Sequence, residues 1–158
     1  MLSHVLESWA SLYANRAALR TGIEFLHIAG LVVGGGCAMT ADLAAIEAVR
    51  TVGASHTFPL QLLKKTHRLV IVGLVALGVS GLLLLGADLE AFVSSTIFWI
   101  KMGLMTLLLV NGALLLRGER QAARGDVNAW RRLHHTAIAS LVLWFLTTLA
   151  GAALPNIG

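Results

Sequence analysis

Charge is what this sequence is short of. Only 13% of its 158 residues are Asp, Glu, Lys or Arg, about half the usual share in a soluble domain. Apolar residues make up 57% and the mean hydropathy is +0.79. Together these exclude a water-soluble globule and imply one integral membrane domain over residues 1–158. The single cysteine, Cys37, excludes an intrachain disulfide. No Lys or Arg precedes Arg16, and no small-residue cleavage site follows a compact apolar core, so a removable signal peptide is not expected. Soluble domains, low-complexity tracts and internal repeats are lacking. The net charge of +4 says little about nucleic acid, which is not an expected partner. The expected partners are the lipid bilayer and either other membrane subunits or further copies of the chain.

What is present is a set of long apolar runs. The clearest is Ile97 to Leu116, twenty residues with one full charge, Lys101. At about 1.5 Å per residue it is long enough to cross a bilayer. A charge within such a run is costly in hydrocarbon and marks a group facing the protein interior. The remaining spans fall at about 22–44, 67–87 and 136–154, with Pro155 ending the last. Ser94, Ser95 and Thr96 offer N-caps for the third span. Residues 2–15 place Leu2, Val5, Leu6, Trp9, Leu12 and Tyr13 at helical spacing. That stripe is too short and polar to span and predicts an interfacial amphipathic helix anchored by Trp9 and Tyr13. The fold expected is all-α: a four-helix, up-down-up-down membrane bundle with an N-terminal interfacial helix.

The basic residues set the orientation. Arg50, Lys64, Lys65 and Arg68 lie between spans one and two. Arg117, Arg120, Arg124, Arg131 and Arg132 lie between spans three and four. The connection at 88–96 and the C-terminal tail have none. By the positive-inside rule the two basic connections are cytoplasmic and both termini lie outside, in a bacterial-type plasma membrane. Arg16 and Arg20 stand against this but are outnumbered.

Depth then sorts the polar residues into two levels. On the outer side Glu24 and His27 share a face of span one, and Lys101 enters at similar depth on span three. They are readable as a site or as a protonatable network. Gly30 and Gly34 lie below His27 and let a helix or a flat ligand approach. On the inner side His67 opens span two and His134 and His135 open span four. Two imidazoles from opposite sides are what a six-coordinate haem b requires. Arg68, Lys64, Lys65, Arg131 and Arg132 are placed to meet its propionates. His134 and His135 sit about 100° apart around the helix, so at most one points inward. The candidate iron ligands are therefore His67, His134 and His27. The bland reading makes these histidines interfacial and lets Lys101 snorkel outward. Met102 and Met105, with Cys37 and Met39, are soft donors that suit Cu(I) as an alternative.

Several motifs resemble a known family. Phe25-Leu26-His27, the glycine-rich half that follows and Ala41-Asp42-Leu43 resemble the first helix of the CopD-like membrane proteins and their small relatives. Ser80-Gly81-Leu82-Leu83 is similar to their Thr-Gly-Leu-Leu element. Lys101 with Asn111 resembles their third-helix Lys and Asn. The Leu26-His27 and Lys101 pair also resembles the HemJ family, in which a matching His and Lys are functional in haem-linked chemistry. The resemblance implies a membrane four-helix protein tied to haem or to copper tolerance. It names no catalytic residue here. The functions left open are a haem-b electron-transfer component, a cofactor-free subunit or copper-tolerance accessory, and a HemJ-like oxidase.

Overall fold

The computed structural model describes the backbone of residues 2–51, 60–122, 124 and 126–157, and the side chains of 4–49, 66–122, 124, 126 and 128–156. It is helical, with no strand among the described residues. The order is α1 (Leu2–Asn15), α2 (Ala17–Thr51), α3 (Leu60–Ala87), α4 (Leu89–Ser94), α5 (Thr96–Ala122) and α6 (Val127–Ile157). Four of these helices, α2, α3, α5 and α6, are long and apolar enough to cross a membrane. Many large apolar side chains on them face outward, among them Phe25, Leu82, Phe145 and Leu149. In water such a surface would be costly; in lipid it is the favoured one.

The helices exceed the apolar runs that announce them. Residues 117–122 and 127–136, expected as a basic loop, are helical, and the connection shrinks to 123–126. The reason is that Arg, Glu, Gln and Ala are good helix formers in water as well as in lipid. Asp126 opens α6: its carboxylate accepts from the Asn128 N–H at 2.9 Å and pairs with Arg132 at 2.8 Å. Pro155 does not end α6, which runs on to Ile157. A proline in a last turn costs only one hydrogen bond, here the donor to the Gly151 carbonyl. Ser95 caps α5, accepting from the Phe98 N–H at 3.4 Å. Asp88 does the same for the six-residue α4, an element the short connection did not announce.

Contacts along neighbouring helices run in opposite order. His27 meets Ser80, and Gly34 meets Gly73, across α2 and α3. Lys101 meets Gly151, and Asn111 meets Thr136, across α5 and α6. Between α2 and α6 the seam is lined by small side chains. On the α2 side Gly35 and Ala38 meet Trp144, and Ala45 packs with Leu133 and Ala137 of α6. That heptad-like spacing with small residues permits close packing in a membrane, where no hydrophobic drive holds helices together. By contrast, no described Cα of α3 comes within 8 Å of one in α5. The bundle is closed on three seams and open on the fourth.

The tightest seam is α2 on α3. A Cβ at Gly73 would collide with the Gly34 backbone and lie 2.9 Å from the Gly30 carbonyl oxygen. A Cβ at Gly30 would lie 3.0 Å from the Gly73 carbonyl oxygen. Gly30 and Gly34 are thus occupied by helix packing, and a flat ligand has no room there. Gly73→Ala is expected to lower stability by about 1–3 kcal/mol through overpacking. Gly36→Ala, where nothing lies within 4 Å, should leave stability unchanged or raise it slightly. Thermal unfolding in detergent, followed by circular dichroism, checks the pair.

Candidate functional site

Two polar groups interrupt the apolar interior, one toward each end of α2. His27 and Asp42 are fifteen residues apart, or about 22 Å along the helix.

The first group joins His27, Ser80 and Lys101. His27 Nδ1 lies 2.9 Å from Ser80 Oγ, and Ser80 is fully buried. The Ser80 hydroxyl has one proton, and it goes to the Ala76 carbonyl at 2.6 Å. The oxygen must therefore accept from the ring. In the neutral imidazole that fixes the proton on Nδ1 and leaves the lone pair on Nε2. The tautomer is thus assigned by the hydrogen-bond network. Gly81 leaves the ring room: a Cβ there would stand 3.6 Å from His27 Cε1. Lys101 is half-buried, and its ammonium is close enough to act electrostatically on the ring. Its Nζ also lies beside Gly151, 3.4 Å from where a Cβ would stand. Gly151 is the residue whose carbonyl loses its helical donor to Pro155. Among the described residues Lys101 forms no ion pair with a carboxylate.

Glu24, expected beside His27 and Lys101, turns the other way. It is exposed and accepts a hydrogen bond from Tyr13 Oη at 3.2 Å. Trp9 donates from Nε1 to the Leu83 carbonyl at 2.9 Å. Both aromatics of α1 thus reach the neighbouring helices. A groove of about 680 Å³ between α1 and α4, lined by Leu6, Glu7, Leu89, Glu90, Val93 and Ser94, contains none of the expected site residues.

The second group was not singled out from the sequence. Asp42 is only 2% exposed and lies near enough to the Ser140 side chain of α6 to interact with it. Glu119 of α5 is near enough to act on it, and Glu119 in turn sits within reach of His67 of α3 and of Arg120. All four long helices thus contribute. Asp42 Oδ2 and Glu119 Oε1 are buried without a hydrogen-bond partner. The available signal was Asp42 within an alanine-rich helical run; Glu119 was hidden between Arg117 and Arg120.

Of the remaining expected residues, His67 is half-buried and engaged. His134 is half-buried, His135 is exposed, and their rings stand edge to face with centroids 5.7 Å apart. Arg68 and Arg131 are exposed. The side chains of Lys64 and Lys65, and all of His56 and Pro59, lie outside the described residues. Met102, Met105, Cys37 and Met39 are half-buried. Among the described residues no group of three or more His, Cys, Asp or Glu could hold a metal ion.

Tyr13 lies outside the spans and is the only tyrosine of the chain. Partial burial first, and then the Glu24 carboxylate, raise its phenol above the ordinary 10.0. A raised acid holds its proton more tightly folded than unfolded. Its contribution to stability is therefore complete below pH 10.0 and is lost as pH rises through the folded value. The phenolate absorbance should titrate above 10.0, and Glu24→Gln should bring the midpoint down. An unchanged midpoint would separate Tyr13 from Glu24.

Compared with known proteins, the chain matches no family model, no curated protein and no solved structure at a significant level.

Proposed function

We propose that this chain is a small plasma-membrane protein that holds a b-type haem as a one-electron carrier, with His27 as an iron ligand. The observation that carries the reading is the His27–Ser80 hydrogen bond. It ties down Nδ1, leaves the Nε2 lone pair available and fixes the ring plane, as the outer partner of a ligating histidine commonly does. Lys101 adds an ammonium at the same level with no carboxylate partner among the described residues, which suits a propionate. The wide seam between α3 and α5 is where a flat macrocycle enters. A haem bound there supplies reversible one-electron oxidation and reduction of its iron. The chain's own part is to bind and orient through His27 and Ser80 and to balance charge through Lys101.

In this reading the spans run up, down, up and down. Their basic ends are cytoplasmic, and α1 lies along the outer interface. The inner pairing of His67 with His134 or His135 is the weaker host, because His67 is near Glu119 and His135 faces outward. The CopD-like likeness, with copper tolerance and the soft donors Met102 and Met105, rests on motif order alone.

One observation favours a cofactor-free subunit instead. Lys101 Nζ lies beside Gly151, whose carbonyl Pro155 has deprived of its donor. There the ammonium packs against the α6 backbone as a structural contact.

Absorption spectra of the detergent-purified protein, before and after dithionite, separate the two. The haem reading expects a Soret band and a sharp reduced α-band, both lost in His27→Ala and kept in His135→Ala. It also expects Lys101→Met to weaken haem retention. A colourless protein from haem-replete cells contradicts the haem reading, and so does a spectrum unaffected by His27→Ala.

A further inference from the structure

The short helix α1 lies across the end of the α2–α3 seam, and its two aromatic side chains each hold one of those helices. Trp9 Nε1 donates to the Leu83 carbonyl of α3 at 2.9 Å, and Tyr13 Oη donates to Glu24 of α2 at 3.2 Å. Leu83 lies three residues from Ser80, and Glu24 lies three residues from His27, each about 4.5 Å along its helix. Because α2 and α3 run in opposite directions, both anchors fall on the same side of the His27–Ser80 bond. The two rings stand 6.4 Å apart. Together they bridge the seam about one turn above that bond.

Apart from these bonds α1 is held lightly. Among the described residues it packs against α2 and α3 and against no other helix. Trp9 Cδ1 would stand 3.3 Å, and Leu6 Cδ2 3.8 Å, from a Cβ at Gly86, so both side chains rest on bare backbone there. Toward α4 it meets the open groove that Leu6 and Glu7 share with Leu89 and Glu90. His4 stands 3.7 Å from Glu7 on the same helix, and both are exposed. One residue, Arg16, separates α1 from α2, so a change of backbone angle there swings the whole helix. The seam beneath is seated backbone to backbone at Gly34 and Gly73. An element held by few contacts opens at lower cost than a packed seam.

We propose that α1 is a lid over the His27–Ser80 pair, latched to α3 by Trp9 and to α2 by Tyr13, and that its swing about Arg16 admits water and small polar solutes to the His27 ring. Closed, the two rings stand between the aqueous phase and the His27–Ser80 bond. Shielded from water, that bond holds the imidazole more firmly. Open, the ring is reached from the end of the bundle that lacks the basic connections. The lid is independent of what the ring binds, haem or nothing, because its latches bond Leu83 and Glu24 and neither His27 nor Lys101.

A thiol placed at Gly81 reports access to the ring, since a Cβ there stands 3.6 Å from His27 Cε1, an ordinary contact. The full chain with Gly81→Cys, in detergent, is treated with a charged, water-soluble methanethiosulfonate, and peptide mass spectrometry follows each thiol. Labelling at that position should be slow with the latches intact. It should rise about tenfold in the double variant Trp9→Phe with Tyr13→Phe, which removes both donors and keeps an aromatic ring at each position. Cys37, ten residues from His27 along α2, should keep its rate. A rate at Gly81→Cys that the double variant leaves unchanged overturns the lid. Equal acceleration at Cys37 overturns it too, because the whole bundle has then loosened. If Gly81→Cys fails to elute as a folded species, amide hydrogen exchange of the chain with Gly81 intact decides. The double variant must then speed exchange over residues 80–86 of α3 but not over 137–144 of α6. Exchange unchanged over 80–86, or faster in both segments, overturns the assignment. The outcome is separate from that for haem: a colourless protein leaves the labelling test in force, and an unchanged labelling rate leaves the Soret band in place.

Discussion

Everything in the interior depends on how closely α2 and α3 approach. Gly34 and Gly73 meet backbone to backbone, and Gly30 completes the contact. Such a contact fixes the rotation of α2 about its own axis, because a helix seated on backbone cannot roll without opening the seam. Further along α2, on roughly the same side, Ala38 and Ala45 pack against Trp144, Leu133 and Ala137 of α6. Between the two seams, the same rotation brings His27 to Ser80 and Asp42 to Ser140. In hydrocarbon, where apolar groups gain nothing by leaving solvent, close packing and polar contacts decide association. The glycine contact supplies the first, and the His27–Ser80 hydrogen bond supplies the second.

The two polar levels differ in kind. Around His27 the surplus is positive: an ammonium without a carboxylate partner among the described residues beside a ring that presents a lone pair. Around Asp42 the surplus is negative: two carboxylates with unpartnered oxygens. Each is out of balance in an apolar setting, and each invites a complement of the opposite sign. His27 and Asp42, which mark the two levels, lie about 22 Å apart along α2. Membrane interiors retain such costly groups where they have a task.

Much of this was legible in the sequence. Hydropathy announced the four helices that are long and apolar enough to cross a membrane, and spacing announced a helix over Leu2–Asn15. Lys101 drew notice by its isolation within an apolar run, and it is half-buried with its Nζ beside Gly151. Glu24 was misplaced because an i,i+3 relation to His27 says that two residues share a side, not which neighbour covers each; Tyr13 of α1 claims Glu24. Glu119 was missed because its basic neighbours read as a solvated loop, whereas the helix carries it inward. Asp42 was visible only as part of a motif. Its meaning depends on Ser140, nearly a hundred residues away, and no local pattern encodes that pairing. The glycines were ambiguous for a related reason, since a gap for a ligand and a gap for a helix look the same until the partner helix is in place.

The account turns on which nitrogen of His27 bears the proton. Nitrogen-15 NMR of the detergent-solubilised protein, with His27→Ala to assign the signal, reads this directly at a pH where the ring is neutral. The account predicts the Nδ1–H tautomer, and a change in that signature when Ser80→Ala removes the accepting hydroxyl. An Nε2–H tautomer, or a signal indifferent to Ser80, would contradict it. The lone pair would then point at serine, leaving nothing on that ring for a ligand to take.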